Sequence, residues 1–174
     1  NVILMKIKYY ITFKLIEIFP RIFGNLLNAL LRQKLNHALK YLMKNKIKID
    51  NVYDIGAFKG HWTIFLNKTS LKKSNFYLFE ANLENEKFLK KLNYRYFISV
   101  LSDVEKKVKF YSKIWGGDSY YLENSNFYDK NLDDKEVTTT TLDKIVKENN
   151  IPFPDFIKID TQGSEIDILK GGNT

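Results

Sequence analysis

The first segment of the chain whose residue types suit ligand binding contains two glycines and a neighbouring acid. Residues 54–60 follow a short apolar stretch and precede a helical pattern, with glycine at Gly56 and Gly60. Glycine adopts backbone angles closed to other residues and lets a ligand approach the main chain. Free N–H groups at the following helix start would attract a carboxylate. With Asp54 beside them to meet an amino group, these residues predict a site for a methionyl-like ligand.

The spacing of these glycines excludes two common nucleotide loops. It is Gly-x-x-x-Gly, which differs from the Gly-x-Gly-x-x-Gly of dinucleotide binders and from a phosphate loop ending in Gly-Lys-Ser/Thr. A purely structural strand-to-helix turn has the same two glycines. The turn therefore indicates a ligand site only when it is considered together with the polar residues that end later strands.

Acidic residues follow three further apolar stretches. Glu80 is placed to accept hydrogen bonds from ribose hydroxyls, the alternative being a solvated acid at a strand end. Ser102 and Asp103 are placed to meet the exocyclic amine of adenine, the alternative being ordinary turn chemistry. Asp160 follows the last strand and would face the reacting group or an acceptor hydroxyl. These positions predict one composite site at the carboxyl edge of a sheet.

Alternating strands and helices must position these residues. Apolar and β-branched runs predict strands over 51–55, 75–79, 96–101, 108–111, 137–140 and 156–159. Helical spacing predicts helices over 24–46, 60–68, 84–92 and 141–149 and one after Gly163. This order predicts an α/β fold with a mostly parallel sheet covered on both faces. The polar stretch 115–135 predicts a long loop, in which residues 116–121 either line an acceptor pocket or form a mobile segment.

The basic charge belongs to the start of the chain. Residues 1–49 hold ten Lys or Arg and one acid, whereas residues 50–174 hold eighteen and nineteen. A near-neutral body argues against nucleic acid as a partner. We therefore predict a basic, apolar helical arm over 1–48 and a catalytic domain over 49–174. The arm either packs on its own domain or contacts an anionic membrane peripherally.

Composition also limits location and metal chemistry. Charged residues interrupt every apolar run of the arm, and neither a spanning segment nor a cleavable signal is visible, so we expect a cytoplasmic protein. The chain has no cysteine and two histidines. Disulfides and thiolate metal sites are therefore excluded, and no metal site is expected.

Several short motifs occur in a fixed order between residues 50 and 172. They are Val-Tyr-Asp-Ile-Gly-Ala at 52–57, Phe-Glu-Ala-Asn at 79–82, Leu-Ser-Asp at 101–103, Thr-Leu-Asp at 141–143, Ile-Lys-Ile-Asp at 157–160, Gly-Ser-Glu at 163–165 and Leu-Lys-Gly at 169–171. The ordered series resembles the FkbM-type methyltransferase family. The resemblance implies a Rossmann-like, doubly wound sheet and S-adenosyl-L-methionine (SAM) as the cofactor. It also implies methylation of a hydroxyl on a sugar, polysaccharide or small-molecule acceptor.

The resemblance assigns roles to positions of this chain. The implied cofactor-binding residues are Asp54, Gly56, Ala57, Phe58, Gly60, Glu80, Ala81, Asn82, Ser102 and Asp103. Asp160 is the candidate catalytic residue, accepting the proton of the acceptor hydroxyl. The chain departs from many relatives in having Phe58 for Asn, Ala81 for Pro, and Thr161-Gln162 for Val-Glu. The last departure removes an acid beside the expected acceptor position.

Two other interpretations remain. A domain of the same fold can bind SAM or a nucleotide without catalysis, or can associate with a membrane surface through its basic arm. Methyltransferases of this architecture usually have about seven strands, so we also expect a sheet that lacks its final strands within residues 49–174.

Overall fold

The computed structural model describes residues 20–112, 117–121 and 133–173. The chain forms two compact units, Asn1–Ile47 and Lys48–Thr174. In the first unit, helix α1 runs over Pro20–Lys44, four residues earlier at its start than predicted. Proline suits the first turn of a helix, where its missing N–H would be unpaired anyway. The helix ends before Lys46, whose φ of 65° is left-handed, and the Asn45 amide donates to the Tyr41 carbonyl at 2.8 Å.

The second unit is built on a parallel sheet. Its strands are β1 (Asn51–Ile55), β2 (Asn75–Glu80), β3 (Arg95–Ile98) and β6 (Phe156–Ile159), in the order β3-β2-β1-β6. Every neighbouring pair is parallel. Helix α2 (His61–Lys68) connects β1 to β2, and a 3₁₀ turn (Leu83–Asn85) with α3 (Glu86–Leu89) connects β2 to β3. Helix α4 (Leu142–Glu148) precedes β6 and α5 (Glu165–Lys170) follows it. The predicted α/β class and Rossmann-like architecture are confirmed.

Alternation along the central strands places one set of side chains in the main core. Tyr53 and Ile55 of β1 lie beside Tyr77 and Phe79 of β2 on one face, and the Tyr53 and Phe79 rings are 5.2 Å apart. Five apolar side chains from later parts of the chain complete this buried cluster: Leu101, Leu142, Ile145, Ile151 and Ile168. The opposite residues of β1, including Asp54, therefore face the other side of the sheet.

A separate antiparallel ribbon corrects part of the loop prediction. Strands β4 (Lys107–Ser112) and β5 (Asp133–Thr138) pair with each other, so β5 begins inside the stretch predicted as loop. Its polar sequence is compatible with a strand because Lys107 pairs with Glu136, and Lys109 with Asp134, each at 3.0 Å across the ribbon. Of the rest of that loop, residues 115, 116 and 122–132 lie outside the described part of the chain.

Two other elements are shorter than predicted. The strand predicted over 96–101 ends at Ile98, and Leu101 forms only an isolated parallel bridge with Thr140. The helix predicted over 84–92 is a 3₁₀ turn followed by a single α-helical turn. None of the helices in the described ranges has the length and apolar character that crossing a bilayer requires.

Candidate functional site

The connections of the sheet place a cleft at its carboxyl edge. From β1 the chain moves outward through β2 to β3 and later returns to β6 on the other side of β1. Doubly wound sheets bind ligands where the connections diverge in this way. The structure has a cleft of about 250 Å³ at this place. Of the residues assigned to the site from the sequence, Gly56, Phe58, Glu80, Ala81 and Asp160 line it.

The turn after β1 is forced into left-handed backbone angles. Gly56, Phe58 and Gly60 have φ values of 73°, 52° and 74°. The N–H groups of Gly56 and Ala57 donate to the Phe79 carbonyl at 2.9 and 3.0 Å, which ties the turn to β2. A Cβ on Gly56 would lie 2.1 Å from the carbonyl oxygen of Asp160. Glycine is therefore required at Gly56 by both the backbone angle and the approach of the chain after β6.

The carboxylate of Glu80 is fixed at the end of β2. Its Oε2 accepts from the Phe58 N–H at 2.7 Å, and its Oε1 accepts from the Asn82 N–H at 2.9 Å and from the Asn85 amide at 3.1 Å. Only 6% of the residue is exposed. Burial raises the pKa of Glu80, repulsion from Asp118 adds to this, and the three hydrogen bonds act in the opposite direction. The carboxylate is held rigidly, with Oε2 engaged by a single protein donor.

Asp54 does not line the cleft; it is paired inside the domain. It is fully buried, and its Oδ2 accepts from the Thr63 hydroxyl at 2.7 Å. Its Oδ1 has no hydrogen-bond partner but lies 3.0 Å from the Lys158 ammonium, so the contact is an ion pair without hydrogen-bond geometry. The same ammonium donates to the Gly56 carbonyl at 2.8 Å. Lys158 therefore occupies the place that the sequence suggested for the amino group of a ligand.

Lys158, whose ammonium holds the turn after β1, was given no role from the sequence. Its Nζ also lies 3.7 Å from Asp160 and 3.3 Å from the Ile55 carbonyl, and its side chain is 15% exposed. Lys158 is the register partner of Asp54 across β1 and β6. Aligning the two strands at their carboxyl ends would have found this pair, because register partners lie on the same face of a sheet.

Asp160 and Thr161 form the edge of the cleft after β6. The Asp160 side chain is 69% exposed, and its N–H donates to the Ile55 carbonyl at 3.0 Å. Thr161 also lines the cleft, and its hydroxyl oxygen is buried without a hydrogen-bond partner. An unpaired buried hydroxyl is costly, so it is a natural contact for a polar ligand atom.

Residues 117–120 line another wall of the cleft, and Tyr121 follows them. Asp118 accepts from the Asn82 amide at 2.8 Å, and the Ser119 hydroxyl donates to the Gln162 carbonyl at 2.6 Å. The hydroxyls of Tyr120 and Tyr121 both donate to Asp167 of α5, at 2.8 and 2.7 Å. We call this stretch the 117–121 segment. It supports the interpretation of these residues as part of a pocket, and Asn82 acts as a link to the segment.

Four predicted cofactor-binding residues besides Asp54 and Asn82 lie outside the cleft lining: Ala57, Gly60, Ser102 and Asp103. Gly60 precedes α2, and a Cβ there would lie 2.4 Å from a methyl carbon of Leu92, so packing explains this glycine. Ser102 is buried and donates to Asp103 at 2.9 Å. The hydrogen bond from Lys106, followed in size by the one from Ser102, lowers the pKa of Asp103 to about 2.

The Leu-Lys-Gly motif also has a packing explanation. A Cβ on Gly171 would lie 2.1 Å from the carbonyl oxygen of Ser102, so the end of α5 approaches the chain after β3 closely. Within the ranges that the structure describes, no cluster of three or more His, Cys, Asp or Glu side chains has the arrangement of a metal site.

Comparison with known proteins identifies the family. The chain matches the crystal structure of methyltransferase FkbM from Methylobacillus flagellatus with 19% identity and a TM-score of 0.47, over 71% of this chain and 29% of that chain. The chain thus spans less than a third of that relative's length. No curated protein matches. The family model described as the methyltransferase FkbM domain matches residues 54–174, most of the chain. The chain therefore belongs to the FkbM methyltransferase domain family.

Proposed function

We propose that the cleft binds SAM and that the protein transfers a methyl group to a hydroxyl of a sugar, polysaccharide or small-molecule acceptor. Membership of the methyltransferase family supports the reaction class. The acceptor class rests on the family resemblance of the sequence motifs. The structural observation that carries the proposal is the fixed carboxylate of Glu80 at the switch point of the sheet.

Glu80 suits a ribose. An ionised carboxylate has about four acceptor positions. Protein donors fill three of them, two at Oε1 and one at Oε2. The remaining position on Oε2 can accept a hydrogen bond from a ribose hydroxyl without displacing a protein donor. The proposed contact therefore needs no rearrangement of this part of the site.

The remaining walls fit the other parts of SAM. Val100, Leu101 and Phe110 provide apolar lining for an adenine ring. The unpartnered hydroxyl of Thr161 offers a polar contact. Because Asp54 is already paired with Lys158, it contributes indirectly, by fixing the ammonium that holds the Gly56 carbonyl.

The chain's own contribution to the reaction is positioning and proton transfer. When bound, SAM supplies a methyl group activated by its sulfonium. Holding an acceptor oxygen in line with that methyl group, away from water, is worth about 7–11 kcal/mol of barrier. The exposed carboxylate of Asp160 lines the cleft and would accept the hydroxyl proton, a role commonly worth about 10²–10⁴-fold in rate.

Calorimetric titration with S-adenosylhomocysteine tests the cofactor site. Glu80→Gln keeps the size of the side chain and removes its charge, so we expect affinity to fall roughly tenfold to a hundredfold, as for a lost charged hydrogen bond. Glu84→Gln is the matched control, because Glu84 is an exposed acid four residues from Glu80. This variant should bind S-adenosylhomocysteine with the affinity of the wild type. A folded wild-type chain that binds no S-adenosylhomocysteine, or equal affinity in both variants, would contradict the proposal.

Methyl transfer needs its own test. Wild type and Asp160→Asn should bind labelled SAM similarly, and only the wild type should transfer label to a hydroxyl acceptor. Binding without transfer to any of a broad set of sugar and small-molecule acceptors would favour a non-catalytic SAM-binding domain. Equal transfer by Asp160→Asn would remove Asp160 from the mechanism.

A further inference from the structure

Helix α1 carries an exposed apolar face. Leu26, Leu27, Leu30 and Leu31 are each about half exposed, between 46% and 54%. They lie at successive i and i+4 positions and so occupy one side of the helix. Tyr41 extends the same side toward the helix end and is 67% exposed. We call these five residues the leucine face.

The charge around this face has one sign. Helix α1 contains five basic residues and no acid: Arg21, Arg32, Lys34, Lys40 and Lys44. Lys34, Lys40 and Lys44 are exposed along the helix. Residues 1–49 as a whole hold ten basic residues against one acid. A surface that is both apolar and this strongly basic is suited to a partner that is both apolar and anionic.

We propose that the leucine face of α1 binds an anionic lipid surface, with the helix lying parallel to it. Leucines would enter the boundary between headgroups and acyl chains, while lysine ammoniums reach the anionic headgroups through their flexible stems. The four leucines lie in the first half of the helix and the exposed Lys34, Lys40 and Lys44 in its second half, so the apolar and the basic contacts follow one another along the 25 residues, a length of about 37 Å.

A second copy of the chain fits this face less well. Packing two α1 helices against each other through this face would bring the exposed Lys34, Lys40 and Lys44 of both copies together. Juxtaposed like charges oppose association. An anionic bilayer covers the leucines and neutralises the lysines with the same contact.

Sedimentation with lipid vesicles tests the proposal on the full 174-residue chain. We expect binding to phosphatidylcholine vesicles that contain phosphatidylserine, weakened by salt, and little binding to phosphatidylcholine alone. Leu26→Glu with Leu30→Glu should reduce binding to background. Asn28→Glu with Ala29→Glu is the matched pair: both positions are exposed, and the pair adds the same charge to the same helix beyond the edges of the leucine face, so it should lose much less.

A second set of variants leaves the leucine face intact. Lys40→Gln and Lys44→Gln should each weaken binding to anionic vesicles roughly fivefold, as expected for one basic residue near a charged membrane. Circular dichroism of every variant checks that the helix is retained.

Four outcomes would overturn the proposal. The first three are no binding of the folded chain to anionic vesicles, equal binding to neutral and anionic vesicles, and equal losses of binding in the two Glu pairs. The fourth is a dimer that forms without lipid, is seen by light scattering, and is dissociated only by the Leu26→Glu/Leu30→Glu pair. The last outcome would assign the face to a second copy instead.

Discussion

The buried pair of Asp54 and Lys158 makes a sharp prediction about stability. Replacing Lys158 by methionine keeps the length of the side chain and removes its charge. Asp54, which is fully buried, would then retain only the hydrogen bond from Thr63. We expect Lys158→Met to destabilise the domain far more than an ordinary surface substitution, because it leaves an unpaired charge inside the protein.

The geometry sets the size of this effect. At 3.0 Å between Lys158 Nζ and Asp54 Oδ1, and an effective dielectric constant of about 20, the gross attraction is about 5–6 kcal/mol. Breaking a buried pair by removing one partner typically costs about 3–5 kcal/mol, which agrees with this value. For a domain whose total stability is about 5–15 kcal/mol, such a loss lowers the melting temperature by on the order of 10 °C.

A double-mutant cycle in urea isolates the interaction. The free energy of unfolding is measured for the wild type, Lys158→Met, Asp54→Asn and the double variant. Because the double variant has no unpaired charge, it should be more stable than Lys158→Met alone. Lys158→Arg should retain part of the wild-type stability, since it keeps the charge but not the compact ammonium geometry.

Two measured outcomes would contradict the predicted ion pair. A loss below about 1 kcal/mol for Lys158→Met would mean that the pair is screened like a surface ion pair. A double variant whose loss equals the sum of the single losses would show no coupling between Asp54 and Lys158. Either result would refute the assignment of Lys158 as the internal counter-ion.

Three further predictions concern Gly56 and Glu80. Gly56→Ala should weaken both folding and S-adenosylhomocysteine binding, because the new Cβ would lie 2.1 Å from the Asp160 carbonyl oxygen and the φ of 73° disfavours alanine. Thermal melting measures the loss of stability, and calorimetry measures the loss of affinity. Gly24→Ala is the control: no atom lies within 4 Å of its new Cβ, so it should be neutral or stabilising. Cofactor affinity should fall as the pH is lowered, and the fall should begin above pH 4.5, because burial raises the pKa of Glu80 above that value and the ribose contact needs the ionised carboxylate. Calorimetric titrations at several pH values measure this fall, and Glu80→Gln should not show it. The same raised pKa makes the Glu80 contribution to folding less favourable as pH rises from the unfolded pKa through the folded one, which urea unfolding over pH measures.

Positions that depend on strand ends were predictable from the sequence. The positions of Gly56, Glu80 and Asp160 follow from a local pattern, an apolar run ending in a polar or flexible residue, together with the rule that parallel strands share one carboxyl edge. The structure places all three at the cleft. No knowledge of distant contacts was needed for these positions.

Residues whose roles depend on distant partners were not predictable in this way. Asp54 looked available to a ligand because its partner Lys158 is 104 residues later in the chain. Gly60 looked like a ligand-approach glycine, although it is the Leu92 side chain that fills the space next to it. In both cases the decisive neighbour comes from another element, so composition and local spacing carry no sign of it.

The polar strand β5 shows a third kind of difficulty. Its sequence lacks the alternation that marks a half-buried strand, and Asp134 and Glu136 read as loop residues. Their strand conformation is compatible with charge pairs to lysines on β4. Such pairing becomes visible only when both strands are considered in register.

The hydrogen bonds of the 117–121 segment have a consequence for the rates of ligand exchange. A ligand that is larger than the cleft enters only after a wall has shifted, and the 117–121 segment is one of the walls. This wall is tied down through Asn82, Gln162 and Asp167. Each such bond contributes about 0.5–1.5 kcal/mol, and opening several together is a rare event. Association and dissociation would then both proceed at the pace of the opening wall, and a bound molecule would be retained well beyond the time that its affinity alone would suggest.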